Sequence, residues 1–282
     1  MTLDAIGTGG VALVTGGAAG IGLAAATRFA RAGMTVIVVD TRDSLFVEAE
    51  AALLAAGATE VAAFAVDVSD RAAVAALQAE VAARFGGVDV LMCNAGIQPG
   101  SDIFDAARTW DRVLAVNLGG IVNMGQVFVP PMIARGRPGL VINTGSKQGI
   151  TTPPGDPAYN ISKAGVKVFT EALQHHLREA GAAISAHLLV PGFVFTDLTR
   201  RGRTERPAGA WTPDQTADFL MERLARGDFY IICPDNDVSE ALDRKRMTWA
   251  MQDITENRPP LSRWHREWGE GFEAYARRDT ED

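Results

Sequence analysis

Three residues in one stretch carry acid–base potential: Ser146, Tyr159 and Lys163, within SKQGITTPPGDPAYNISK. Tyr159 and Lys163 form Y-x-x-x-K, and residues four apart share one face of a helix. An ammonium held ~4 Å from the phenol oxygen, at an effective dielectric of ~20, favours phenolate by roughly 4 kcal/mol. One pKa unit corresponds to about 1.4 kcal/mol, so a tyrosine starting near ~10 is expected to fall toward neutrality. Such a group serves as a general acid or base at neutral pH. Ser146 supplies a neutral hydroxyl that can hydrogen-bond a substrate oxygen as charge develops on it. Y-x-x-x-K alone is a weak signal, and the elements around it decide whether the trio is real.

Those elements alternate. Val11–Thr15 (VALVT) is an apolar run of the kind expected for a strand buried on both faces. Gly16-Gly17-Ala18-Ala19-Gly20-Ile21-Gly22 follows, then a helical pattern stopped by Gly33. A strand, a glycine-rich turn and a helix form a dinucleotide-binding opening, in which backbone approaches a pyrophosphate at the helix N-terminus. Thr35–Asp40 (TVIVVD) is a second strand, and the Asp40 carboxylate suits the adenosine ribose hydroxyls of NAD. It would repel the 2′-phosphate of NADP, although Arg42 nearby could pair with that phosphate. Strands at about 59–66, 88–93, 140–144, 184–190 and 229–233 continue the series, with a long helix over roughly 107–134 and another starting near Ala158. The expected fold is α/β, a Rossmann-type doubly wound parallel sheet. In such sheets ligands bind at the carboxyl ends of the strands. Gly16, Asp40, Asn94, Ser146 and Pro191 all fall there. Asp67 closes the third strand, either as a contact to an adenine edge or as a turn residue. Asn94-Ala95-Gly96 ends the fourth, where a small turn lets a cofactor lie against backbone.

Composition narrows the functional classes. The chain has 282 residues, 47% of them hydrophobic, enough for one full core. A net charge of −7 argues against a nucleic-acid or anionic-membrane surface. No apolar run approaches the ~20 residues that span a bilayer. The N-terminus MTLDAIGTGG lacks a basic region followed by an apolar stretch, so no secretory signal is expected. Cys93 and Cys233 fall in strand-like runs and suit buried free thiols in the cytoplasm. No His/Cys cluster has metal-ligand spacing, and no metal is expected.

Taken together, the motifs resemble the short-chain dehydrogenase/reductase family. The matching pieces are TGGAAGIG (Thr15–Gly22), VVD (Val38–Asp40), DV (Asp67–Val68) and NAG (Asn94–Gly96). Asn117, Ser146, YNISK (Tyr159–Lys163) and PGFVFT (Pro191–Thr196) complete them, in family order across roughly residues 9–235. The resemblance implies an NAD(P)-dependent oxidoreductase acting on a secondary alcohol or ketone. Tyr159 would exchange the proton and Ser146 polarise the substrate oxygen. Lys163 would lower the phenol pKa and hold the nicotinamide ribose, with Asn117 placing a relay water toward it. The cofactor contacts implied are Gly16, Ala19, Gly20, Ile21, Gly22 and Asp40, then Asp67, Val68, Asn94, Ala95 and Gly96. Tyr159, Lys163, Pro191, Gly192, Val194 and Thr196 complete that set. A homodimer or homotetramer is expected. A catalytically silent nucleotide-binding scaffold would lack part of the trio, and an epimerase or dehydratase would carry a different glycine spacing.

Some features depart from the family. Cys93 replaces the first asparagine of the usual pair before NAG. Lys147 and Gln148 follow Ser146 where small residues are common, and each either enters the substrate site or faces solvent. With Gln148, the candidate substrate wall is Phe193, Phe195 and Trp211. A lid is expected at about 197–227, its arginines Arg200, Arg201, Arg203 and Arg206 either recognising an anion or lying solvated. Residues 1–235 form the expected catalytic domain and 236–282 a helical extension, longer than family members usually carry. There Trp264, Trp268, Phe272 and Tyr275 make an aromatic stripe expected on one helix face. It would bury against its own domain or a neighbouring subunit.

Overall fold

The computed structural model describes residues 2–278. Seven strands form one parallel sheet: β1 (Val11–Thr15), β2 (Thr35–Asp40), β3 (Val61–Ala65), β4 (Val90–Cys93), β5 (Gly139–Thr144), β6 (Ile184–Val190) and β7 (Tyr230–Ile232). Their order is β3-β2-β1-β4-β5-β6-β7. The order reverses between β1 and β4, which opens a crevice at their carboxyl ends. Alternation along each strand divides the core. Leu13, Ile37, Leu91, Val141 and Leu188 face one side; Val14, Val38, Met92, Ile142 and Leu189 face the other. Both sides are covered, so the strands read as unbroken apolar runs.

One layer holds α1 (Gly20–Arg31), α2 (Phe46–Ala56) and α9 (Pro213–Arg226). Arg28 of α1 ties to Asp214 and Asp218 of α9. The other layer holds α3 (Arg71–Phe85), α4 (Ala107–Leu114), α5 (Gly120–Arg135) and α7 (Pro157–Glu179). The expected long helix is present as α4 and α5, joined without a break by a π-helical turn at Ala115–Gly119. Its 29 residues would suffice, by length and composition, to cross a membrane. That corrects the sequence expectation, and the reason lies in the fold: Ile121, Met124, Phe128 and Met132 pack against the sheet.

Two short helices, α6 (Gln148–Thr151) and α8 (Asp197–Arg200), lie at the carboxyl edge of the sheet. Beyond β7 come α10 (Glu240–Thr255), a 3-10 turn at Ser262–Trp264, and α11 (Gly269–Arg277). The expected aromatic stripe is split. Trp264 sits in the 3-10 turn and Trp268 caps α11, which alone carries Phe272 and Tyr275. Leu261 at φ +57° turns the chain between the two helices. Both helical aromatics pack on Trp249 of α10, at ring separations of 5.6 Å and 5.3 Å. The Trp249 indole N–H donates to Ser262 Oγ at 2.7 Å, closing the hairpin.

Gly22 shows how tightly the first turn is packed. A Cβ there would lie 2.1 Å from the Gly16 carbonyl oxygen, a backbone atom with no room to retreat. Gly22→Ala is expected to destabilise the protein by roughly 1–3 kcal/mol or more. Thermal unfolding followed by circular dichroism checks this; an unchanged midpoint would mean the turn accommodates a methyl group.

Candidate active site

A cleft of about 940 Å³ opens along the carboxyl edge, over the β1/β4 switch point. At its floor, Gly16 (φ +62°) and Gly20 (φ +56°) hold the turn into α1 in the left-handed region. Ala19 is the N-cap of α1 and offers no side-chain oxygen to its first turn. Gly16, Ala19, Gly20 and Ile21 line the cleft, so these N–H donors and the helix dipole face it. That is what an anionic pyrophosphate requires. Gly22 lies beneath the lining and acts through packing.

One end of the cleft is acidic. Asp40 is buried at the tip of β2; it accepts the Ala18 N–H at 3.4 Å and the Arg42 N–H at 3.1 Å. The Arg42 guanidinium reaches back to Asp40 at 3.4 Å and across to Asp197 of α8 at 3.1 Å. Asp67 and Val68 line the same end. The Asp67 carboxylate also accepts the Ser69 N–H and hydroxyl, at 2.9 Å and 2.7 Å. It is therefore a turn residue that also borders the cleft, while Asp70 caps α3.

The middle is braced by Asn94. Its N–H donates to Thr15 Oγ1 at 2.9 Å, and Thr144 Oγ1 donates to its Oδ1 at 3.3 Å. Three strand ends are thereby joined. Ala95 and Gly96 line the wall, and a Cβ on Gly96 would stand 3.7 Å from Lys163 Nζ. Cys93 is buried beneath, its thiol pushed up to about 12 by desolvation. Asn117 lies in the π turn, fully buried. Its Oδ1 accepts the Ile97 N–H at 2.8 Å, and Nδ2 donates to Ile97 O at 2.9 Å and Ser162 Oγ at 3.2 Å. Its side chain is committed to pinning the cleft wall onto α7.

Ser146, Tyr159 and Lys163 meet in the cleft. The phenol is hydrogen-bonded to Ser146. Lys163 Nζ donates to the Thr144 carbonyl at 2.8 Å and lies 5.7 Å from the Tyr159 ring centroid. The expected fall of the Tyr159 pKa is reversed. Burial pushes the phenol up to about 12, against the hydrogen bond from Ser146 and with a smaller push from Asp156. Lys163 is desolvated too, and its ammonium falls to about 8. The i,i+4 spacing brings the residues together, and desolvation dominates both shifts.

Pro191, Gly192, Val194 and Thr196 line the far wall with Phe195. Gln148, Phe193 and Trp211 lie outside the lining. Trp211 stacks edge-on with Phe219, 5.7 Å away, toward the α1/α9 layer. Gln148 lies 3.4 Å from the Gln98 amide in a polar cluster beside Tyr159. Asp156, buried there, accepts from Ser101 Oγ at 2.6 Å and Gln98 Nε2 at 3.2 Å. Gln98, Asp156 and the cleft-lining Arg112 gave no sequence signal. Of the lid arginines, Arg200 lines the cleft and pairs with Asp197 at 2.5 Å, whereas Arg201, Arg203 and Arg206 are exposed. Lys147 meets neither expectation: its ammonium is buried, paired with Asp235 and Asp243.

A parallel sheet with an uncapped helix N-terminus, an acid at the β2 tip and a buried Tyr–Lys pair defines a dinucleotide-binding oxidoreductase. The sequence profile of the short chain dehydrogenases matches residues 10–207, and the chain belongs to that family. It is 34% identical over 226 residues to the 3-oxoacyl-acyl-carrier-protein reductase FabG of Thermotoga maritima, covering 78% of this chain and 85% of that one. A crystal structure of a short-chain dehydrogenase/reductase from Burkholderia phymatum in complex with NAD superposes at a TM-score of 0.81. It is 30% identical and covers 91% of this chain and 97% of its own. A metagenomic short-chain oxidoreductase in complex with NADP superposes at 0.68, at 30% identity over 80% of this chain and 97% of its own. The chain is thus an oxidoreductase of a family that binds nicotinamide cofactors.

The pH sign follows from Lys163. Its folded pKa, about 8, lies below the ordinary lysine value of 10.5. The cost of burying its charge is therefore full below about 8 and gone above about 10.5. Lys163→Met is expected to raise the melting temperature of the cofactor-free protein by a few degrees at pH 7, with the gap shrinking by pH 10. Differential scanning calorimetry at both pH values checks this; a gap that widens with pH contradicts it.

Proposed function

We propose that the chain is a dehydrogenase/reductase interconverting a secondary alcohol and a ketone, with NAD preferred over NADP. The observation that carries this is the convergence of Ser146, Tyr159 and Lys163 beside the uncapped start of α1, in one cleft. The bound cofactor would supply the hydride donor or acceptor and, when oxidised, a positive charge near the phenol. Every other part of the chemistry falls to the chain. Gly16, Gly20 and Ile21 would hold the pyrophosphate on backbone N–H groups. Asp40 would take the adenosine ribose hydroxyls, with Asp67 and Val68 beside the adenine. Lys163, beside Gly96, would hold the second ribose.

Ser146 would donate its hydroxyl hydrogen to the substrate oxygen, and Tyr159 would exchange the proton with that oxygen. A phenol near 12 is fully protonated at neutral pH, which suits proton donation to a carbonyl being reduced. In the reverse direction, positive charge near the ring must stabilise the phenolate, and the Lys163 ammonium contributes to that. Asn117 would serve this chemistry by fixing Ile97 and α7, and its place in a π turn leaves local backbone carbonyls less regularly paired. The NAD preference rests on Asp40. Arg42 is already shared between Asp40 and Asp197, so it is poorly free to receive a 2′-phosphate. Phe195 and Leu198 would form the apolar part of the substrate wall, with Gln148, Phe193 and Trp211 behind it.

We further take residues 1–235 as the catalytic unit and the remainder as an extension packed on it. We place the protein in the cytoplasm as a homodimer or homotetramer, consistent with two free buried thiols.

The test is a spectrophotometric screen of secondary alcohols and ketones of graded size and charge, with NAD and NADP in parallel. Turnover with neither cofactor on any member would reject the proposal. On the best substrate found, Tyr159→Phe is expected to lower kcat by about 10²-fold or more while NADH affinity, read by calorimetry, stays within about threefold. Asp40→Ala is expected to shift the ratio of kcat/KM for NADP over NAD upward by about tenfold or more; a constant ratio would place cofactor choice elsewhere.

A further inference from the structure

Ser146 is followed by a lysine whose charge is buried. The Lys147 side chain is only 15% exposed, with Nζ 2.5 Å from Asp243 Oδ2 and 3.6 Å from Asp235 Oδ2. The two carboxylates are themselves 4% and 7% exposed. The three side chains come from three places. Lys147 precedes α6, Asp235 follows β7, and Asp243 lies in the first turn of α10.

The cluster reaches both walls of the cleft. Asp235 Oδ2 accepts the Phe193 N–H at 3.1 Å. A Cβ on Gly192 would stand 2.7 Å from Asp235 Oδ2 and 2.9 Å from Lys147 Nζ. The lysine thus lies directly under the Pro191–Gly192 backbone, which lines the cleft with Ser146. Asp243 also feels Arg246, one turn along α10, and Arg263, so three cations face two carboxylates.

Local structure alone cannot hold this region. Helix α6 has four residues, and one turn does not sustain its own geometry in water. Yet the turn sets the position of Ser146, whose Oγ accepts the Gln148 N–H at 3.1 Å. On one side α6 presses on α7: a Cβ on Gly149 would lie 2.4 Å from the Lys163 carbonyl carbon. On the other side it meets α10 through Lys147. A buried ion pair adds little net stability over an apolar contact, because desolvating the charges offsets their attraction. What it does add is a directed contact between fixed partners.

We propose that Lys147 is a positioning residue of the active site. Through Asp235 and Asp243 it fixes the turn carrying Ser146 and the Pro191–Phe193 segment, which makes α10 part of the framework of the nicotinamide end. The proposal rests on the cofactor placement given above.

Calorimetric titration of the full chain with NADH and with ADP-ribose tests it. ADP-ribose reaches the adenosine and pyrophosphate end and lacks the nicotinamide. In Lys147→Met and in Asp243→Asn, the Kd for NADH is expected to rise at least about fivefold, with that for ADP-ribose within about twofold. With the best substrate from the screen, kcat is expected to fall about tenfold or more. Lys147→Met/Asp243→Leu removes the pair together and guards against a single variant that fails to fold. It too is expected to weaken NADH selectively. Equal weakening of both ligands, or no change in either, overturns the proposal. Wild-type protein that binds neither ligand instead removes the cofactor placement, and this inference with it.

Discussion

The carboxyl edge of the sheet is arranged around one buried ammonium. Lys163 is held by the last carbonyl of β5, beside Gly96 and below a wall pinned by Asn117. Water is largely excluded there, which is why the amine is forced down and the neighbouring phenol up. A surface Tyr–Lys pair would do neither, because solvent would screen both groups. The arrangement opposes stability at neutral pH, and strain of this kind is tolerated where function requires it.

The framework was legible because its physics is local. Strands buried on both faces appear as short apolar runs, and β1, β2 and β6 begin and end where those runs do. The glycine turn, Asp40 and the Ser–Tyr–Lys trio stand at strand ends in the order the family resemblance implied. What escaped sequence reading was set by distant packing. The partners of Lys147 lie about ninety residues further on, and nothing near Lys147 announces them. The direction of the Tyr159 shift depends on how much water survives around it, which no i,i+4 spacing encodes. Gln148, Phe193 and Trp211 are near the site in the chain, yet one side chain joins a polar cluster and another an aromatic pair away from the lining.

The C-terminal segment shows the same limit. Its aromatic spacing fitted one helix, but Pro259 and Pro260 and the left-handed Leu261 fold it into a hairpin on Trp249. Arg258 stacks over Trp249 and Trp268, and Arg263 over Trp264 and Phe272, so two cations are laid on aromatic faces. The hairpin packs on α10 through Trp249, and Lys147 engages the same helix through Asp243.

The π turn at Ala115–Gly119 bears on how this chain tolerates changes in length. A π turn accommodates about one residue more than the α-helix it interrupts. Loss of a single residue there would let the helix become regular with its two flanks still in phase, leaving Val113 in the core and Arg112 on the cleft wall. The same loss elsewhere in the helix would turn one flank by about 100° against the other. The cost of a deletion at this turn therefore falls on the turn itself, where Asn117 would lose its register with Ile97.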